Sequence, residues 1–295
     1  MQHGVIYAAL AFTWWGLFPL YFRIVTNVSP GEILAHRIVW SLVFLLGVLS
    51  LRRQWAWVAQ VLRQPKVLAA FTVSSLLLAC NWLTYLWAVN SGHVIDASLG
   101  YFITPLVNVV LGCTLLHERP TRGRWIALTL AGFGVIWLTF AAGKPPWIAL
   151  VLGLSFGAYG LMRKVATLGP LEGLTLETVV LMPLALFALG YLAWQGKGVF
   201  PAPDALTNLW LLAFGPITAV PLLLFAAGAR RLPLATLGIL QYIGPTLQFG
   251  IGMWVFNEAF SANRAVGYGC IWVALVIYTA DGWGSARRAG VAVSA

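Results

Sequence analysis

Arg37 stands inside GEILAHRIVWSLVFLLGVL (residues 31–49), a run otherwise suited to lipid, with Glu32 and His36 just ahead of it. A guanidinium in hydrocarbon costs roughly 2.5 to 3.5 kcal/mol on insertion scales, so a partner, an anionic group on a solute or a gate must offset it. Glu177 is the most deeply placed acid of the chain. Acids inside membrane segments mark proton relays and ion pathways, which makes Glu177 a candidate for proton coupling; near the cytoplasmic end of its span, it could equally reach the interface. A second set is uncharged: Tyr101, Thr104, Pro105, Asn108 and Gly112 recur at spacings of three, four and seven, one face of a helix. Gln241, Gly244, Pro245, Gln248 and Gly252 form a matching face, with Tyr242 beside Gln241. Asn81 and Tyr85 lie one turn apart, and Trp14 is adjacent to Trp15, so one of that pair must point elsewhere. Amides, phenols and rings of this kind would line a cavity for an amphipathic or aromatic solute. Interhelical hydrogen bonding is the plainer role for the same amides.

The elements that must position these groups are membrane helices. The chain has 295 residues, 60% hydrophobic and 9% charged, with 15 Trp, where a soluble domain carries about 25% charge. A helix needs about 20 apolar residues to cross the hydrocarbon core. Uncharged runs predict ten spans, at 4–22, 33–51, 68–88, 97–116, 124–142, 146–162, 173–194, 206–228, 234–256 and 264–281. The first shows no basic leader and no small-residue cleavage site, and is read as a retained span. The net charge of +10 is spread over short loops, so it sets orientation and does not indicate nucleic acid. Thirteen Lys and Arg, Arg163 among them, fall on the side of the N-terminus and four on the other, which predicts both termini in the cytoplasm. Pro105 and Pro245 lie near mid-span, where a proline bends a helix and frees a carbonyl. Asp96, just ahead of the fourth span, reads first as an N-cap and second as a gate or protonation site.

The chain repeats itself. At an offset of 140 residues Arg23 aligns with Arg163, Pro30 with Pro170, Glu32 with Glu172, Pro105 with Pro245, Gly112 with Gly252 and Glu118 with Glu258. Each half is then a five-helix unit, residues 1–142 and 143–284, followed by a cytoplasmic tail at 285–295. Because five is odd, the second unit must insert upside down, an architecture whose solute site lies near the midplane. Arg37 aligns with Glu177, but inversion puts the two near opposite faces, and no salt bridge between them is expected. Ser29, Pro30 and Glu32 form a helix start, with Glu32 a cap at the outer face; Arg37 either snorkels to the headgroups or, with His36, stands at the outer end of the cavity as anion site or gate.

The stretches NWLTYLWAVNSGHVIDASLGYFITPLVNVVLGCTLLHER (81–119), LGILQYIGPTLQF (237–249) and WWGLFPLYFR (14–23) resemble the RarD permeases of the EamA branch of the drug/metabolite transporter superfamily. The resemblance covers nearly the whole chain. It implies an all-α integral membrane protein of ten helices in two EamA repeats, set in a bacterial inner membrane. It also implies movement of a small organic solute, such as an amino acid, metabolite or amphipathic drug, commonly outward. His36 and Arg37 are similar to the family's pattern, and Glu118 and Glu258 are kept in view by it as ordering residues.

No GxxxxGK[ST] loop is present, so ATP is not used directly and transport would run on a gradient, by uniport or with a coupled proton. Cys80, Cys113 and Cys270 form no CxxC pair, and neither a disulfide framework, a metal site nor any cofactor is expected. An intramembrane enzyme would need a convergent nucleophile and base, or an HExxH pair; the His at 3, 36, 93 and 117 fall at span ends or termini. A membrane scaffold without transport is the other reading. Beyond solute and lipid no partner is indicated, and monomer and homodimer both stay open.

Overall fold

A computed structural model of the chain describes residues 2–22, 28–90, 94–142, 147–255 and 265–281, without 275 and 279. Among them there is no strand. The helices are α1 (Gln2–Gly16), α2 (Phe18–Phe22), α3 (Pro30–Arg52), α4 (Ala56–Leu62), α5 (Pro65–Asn90), α6 (Val94–Leu115), α7 (Arg122–Ala142), α8 (Trp147–Val165), α9 (Pro170–Trp194), α10 (Ala205–Ala229), α11 (Leu234–Gln241) and α12 (Ile243–Trp254). A shorter apolar helix, Ala265–Tyr278, follows. Seven helices are long and apolar enough to cross a membrane: Gln2–Tyr21, Pro30–Arg52, Pro65–Ala88, Arg122–Phe140, Trp147–Val165, Pro170–Trp194 and Ala205–Ala229. Of the other expected spans, the fourth and tenth contain the shorter apolar helices Gly100–Leu115 and Ala265–Tyr278. The ninth is broken into α11 and α12.

Prolines explain the two breaks. Pro245 has no N–H to give the carbonyl of Gln241, four residues earlier, and α11 ends at Gln241. Pro19 likewise leaves the carbonyl of Trp15 without its helical donor. That carbonyl instead accepts from the Gln248 side-chain amide of α12, Nε2 to O 3.1 Å, as apolar surroundings require of a freed backbone group. Pro105, by contrast, sits within a continuous α6.

Helix starts follow their local chemistry. Ser29 caps α3, its Oγ accepting the Glu32 N–H at 3.3 Å, with Pro30 at the first helical position. Asp204 caps α10 by accepting from the N–H groups of Leu206 and Thr207. Those bonds and the Thr207 hydroxyl hold its carboxyl below the usual carboxylate range. Asp96 is not an N-cap: α6 begins at Val94, so Asp96 falls within the first turn, and its side chain lies outside the described residues. Arg23, Lys144, Glu258 and Arg264 also lie outside them.

Two carboxylates tie distant segments together by accepting backbone N–H groups. Glu118 Oε1 and Oε2 accept the N–H groups of Leu234 and Ala235 at 2.8 and 3.2 Å, which caps α11, and Lys164 lies 3.6 Å from the same carboxylate. Glu32, read above as a cap at the surface, is instead 1% exposed. Its Oε1 accepts from the N–H groups of Val199 and Phe200 at 2.7 and 3.1 Å, which ties the α9–α10 connection to the start of α3.

In the interior α1 packs on α10, α8 on α5, α3 on both α9 and α10, α5 on α9, and α6 on both α8 and α11. One apolar cluster gathers Phe12, Leu45, Leu78, Tyr159, Leu174 and Phe225; a second gathers Phe102, Ala131, Ile239, Tyr242 and Ile271. Helices α3 and α10 cross closely: a Cβ on Gly215 would collide with the Trp40 carbonyl, and the Ser41 hydroxyl donates to the Gly215 carbonyl at 3.2 Å. Gly215→Ala is therefore expected to lower stability by about 1–3 kcal/mol, measured as a shift of the melting curve in detergent. An unshifted curve would mean that the two helices separate freely.

Candidate solute site

Arg37 lies seven residues along α3 from Pro30, about 10 Å at the helical rise, and its side chain turns inward. Its Nε donates to Thr218 Oγ1 of α10 at 3.1 Å. The guanidinium carbon stands 4.8 Å over the Trp82 ring and 5.8 Å from that of Phe18. Tyr85 and Tyr101, whose rings are 5.8 Å apart, are close enough to interact electrostatically with the cation. A planar cation stacked on rings is the arrangement that suits Arg and not Lys. Helices α3, α5, α6 and α10 thus each contribute one wall.

Beside Arg37 is a cavity of about 10 Å³, lined among others by Ser41, Trp82, Glu177, Thr178 and Thr218. That is room for one water. Arg37 and Glu177 share this cavity, although they were expected near opposite faces. Each lies seven residues in from its proline, Pro30 or Pro170, and α3 packs against α9, so both long side chains converge from their two sides.

Glu177 has its own partners. It is fully buried, so it does not reach the interface, one of the two expectations for it. Oε1 accepts from Ser74 Oγ at 2.5 Å and from Arg163 Nη1 at 3.5 Å, and Oε2 from the Tyr159 hydroxyl at 3.3 Å. Arg163, counted above as a loop cation, is 1% exposed. It also donates to the Pro170 carbonyl at 3.1 Å and lies 5.7 Å over Phe71, while its buried Nε has no partner among the described residues. The turn between α8 and α9 is short, which brings residues 163 and 177 face to face. No signal of composition marked Arg163; its place one turn after Tyr159 on α8 is the pattern that would have.

The amides are hydrogen-bonded across helices. Asn108 Nδ2 donates to Gln241 Oε1 at 3.1 Å, and both residues are buried. Asn81 Nδ2 donates to the Leu152 carbonyl and Ser155 Oγ at 2.9 and 3.1 Å. Gln248 serves Trp15, and the Tyr242 hydroxyl donates to the Phe102 carbonyl at 3.2 Å. These five side chains bind helix to helix, since an unpaired polar group in an apolar interior costs more than a paired one gains. Of the adjacent tryptophans, Trp14 is 40% exposed, whereas Trp15 packs against Phe12, Phe156 and Phe225. Trp14 is therefore the one that points outward.

His36 is 3% exposed. Its Nδ1 accepts from Trp40 Nε1 at 3.1 Å, which leaves the ring proton on Nε2, 3.9 Å from Glu32. It belongs to the Glu32 knot and not to the cavity wall.

Comparisons with known proteins agree with this helical frame. Residues 2–140 match the EamA-like transporter family. The chain is 48% identical to "Uncharacterized transporter YojE" of Bacillus subtilis, over 95% of this chain and 96% of that one. It is 42% identical to "Protein RarD" of Escherichia coli, over 97% of each. A protein of known crystal structure superposes over 93% of this chain and 96% of its own with a TM-score of 0.69 at 18% identity, a likeness of fold alone.

Proposed function

The chain belongs to the EamA-like transporter family, as a RarD-type permease, and from that premise we propose that it carries a small organic solute across the bacterial inner membrane by alternating access. Amino acids, metabolites and amphipathic drugs are the candidate cargo. The observation that carries this reading is Arg37: a guanidinium stacked on Trp82, flanked by Tyr85 and Tyr101, beside a cavity where helices of both halves meet. A cation so placed is functional by default inside a membrane.

The proposal includes ten spans in two inverted units, 1–142 and 143–284, with the tail at 285–295 and both termini in the cytoplasm. Packing supports it, because contacts come in pairs at an offset of 140 residues. The packing of α1 on α10 has its counterpart in α8 on α5, and that of α3 on α10 in α5 on α9. The α6–α8 contact has its counterpart in α1 on α11 and α12. Tyr242 bonds the carbonyl of Phe102, its own counterpart in the first half.

Within the site Arg37, Tyr85 and Tyr101 contact the solute, and Trp82 joins them. Asn81, Asn108, Gln241, Tyr242 and Gln248 hold the frame on which the halves move. Glu177 is the buried acid positioned for proton coupling. Reconstituted protein is expected to exchange at least one labelled solute from a broad panel of amino acids, drugs and metabolites across proteoliposomes. Folded protein with no flux for any of them would end the transporter reading at this site.

A further inference from the structure

A second cavity, of about 210 Å³, lies between α5 and α8 at the end of the bundle where Lys164 meets Glu118. Its wall is Val67, Ala70, Phe71 and Met162, Lys66 is at its rim, and Ser74 lines it too. Ser74 is also the residue whose hydroxyl holds Glu177 at 2.5 Å, and Glu177 lines the Arg37 cavity. A single layer, Ser74 and Glu177, therefore separates a cavity large enough for several waters from the space beside Arg37.

The same position at the opposite end of the bundle is filled. At the offset of 140 residues Ala70 corresponds to Trp210, Ser74 to Phe214 and Leu161 to Tyr21. There the Tyr21 hydroxyl donates to the Trp210 carbonyl at 2.9 Å, and its ring packs edge-on at 5.1 Å from that of Trp210 and 4.8 Å from that of Phe214. Ala70 and Ser74 leave space where Trp210 and Phe214, joined by Tyr21, fill it, so the first cavity is open and the second position shut.

Resting on the transporter reading, we propose that the α5–α8 cavity is the open vestibule of the solute route, and that the route takes an organic anion with an apolar body. The vestibule wall is apolar, which suits the body. Along the route lie Lys66 at the mouth, the mutually neutralising Arg163 and Glu177, and Arg37 beyond, so the uncompensated charges are positive at both ends. Complementary charge both attracts and selects the solute.

The test uses the full chain with Cys80, Cys113 and Cys270 each changed to serine, carrying Ala70→Cys, Val67→Cys or Phe214→Cys, in proteoliposomes. A water-soluble anionic methanethiosulfonate should label Ala70→Cys and Val67→Cys at least about tenfold faster than Phe214→Cys. Slow labelling of both, with fast labelling by a lipid-soluble maleimide, would make the cavity a lipid-facing groove and overturn the proposal. Millimolar 1-naphthoate should slow labelling of Ala70→Cys and raise the melting temperature of the unsubstituted protein, while 1-naphthamide and 1-naphthylmethylammonium should do neither. Equal effects from the amide or the ammonium would overturn the anion assignment. Lys66→Gln should weaken the naphthoate effect, and the conservative Lys66→Arg should keep it. None of these readouts needs flux, so loss of the transporter reading would show separately, as protection and binding without transport.

Discussion

Glu177→Ala is expected to lower the stability of the protein by about 3–5 kcal/mol, the cost of leaving a buried cation without its counter-ion. The substitution strands the Arg163 guanidinium, which is 1% exposed and keeps only the Pro170 carbonyl and the face of Phe71. It also removes the acceptor of Ser74 and Tyr159. Arg163→Met alone should cost a similar amount, by stranding Glu177. The double variant Arg163→Met with Glu177→Leu removes both charges, and apolar replacement of a whole buried pair is close to neutral. Melting in detergent should therefore show two strongly destabilised single variants and a double variant near the original, a coupling that a cycle of the four proteins measures directly. Single variants as stable as the parent would show that the pair is not closed off from water.

Arg37→Gln should act in the opposite sense on the two observables. Flux of the transported solute should fall at least about 30-fold, equivalent to about 2 kcal/mol, the lower range for removing a buried charged partner. Stability should hold, because Arg37 has Thr218 and two rings as neighbours but no carboxylate in ion-pair contact among the described residues. Arg37→Lys keeps the charge and loses the planar stacking on Trp82, so it should recover only part of the flux. Native flux in Arg37→Gln would remove the guanidinium from the solute path.

Much of this was legible in the residues. The helical class, the resemblance carried by residues 81–119 and the helix start at Ser29 and Pro30 rest on local pattern, which a sequence displays openly. That Arg37 and Glu177 need partners inside the bundle followed from the cost of charge in an apolar segment. What stayed hidden depends on which long side chain reaches which neighbour. Arg163 stood beside Lys164 at a helix end and looked like a loop cation, yet its side chain turns inward to Glu177. Asn108 and Gln241 occupied matching polar stripes, and spacing alone could not tell a cavity wall from two amides bonded to each other. Pro19 carried no sign that Gln248, 229 positions later, would complete the hydrogen bond it forgoes.

The two carboxylates that accept backbone N–H groups from a distant segment share a direction in time. In both, the acid lies in the earlier part of the chain and its amides in the later: Glu32 receives Val199 and Phe200, and Glu118 receives Leu234 and Ala235. A ribosome delivers the chain from its N-terminus, so each anion is already in place when the donors it will hold emerge. Glu118 is therefore available to the first turn of α11 as soon as that turn forms, and a backbone N–H left bare in hydrocarbon would cost several kcal/mol. In these two contacts the acceptor is made before its donors.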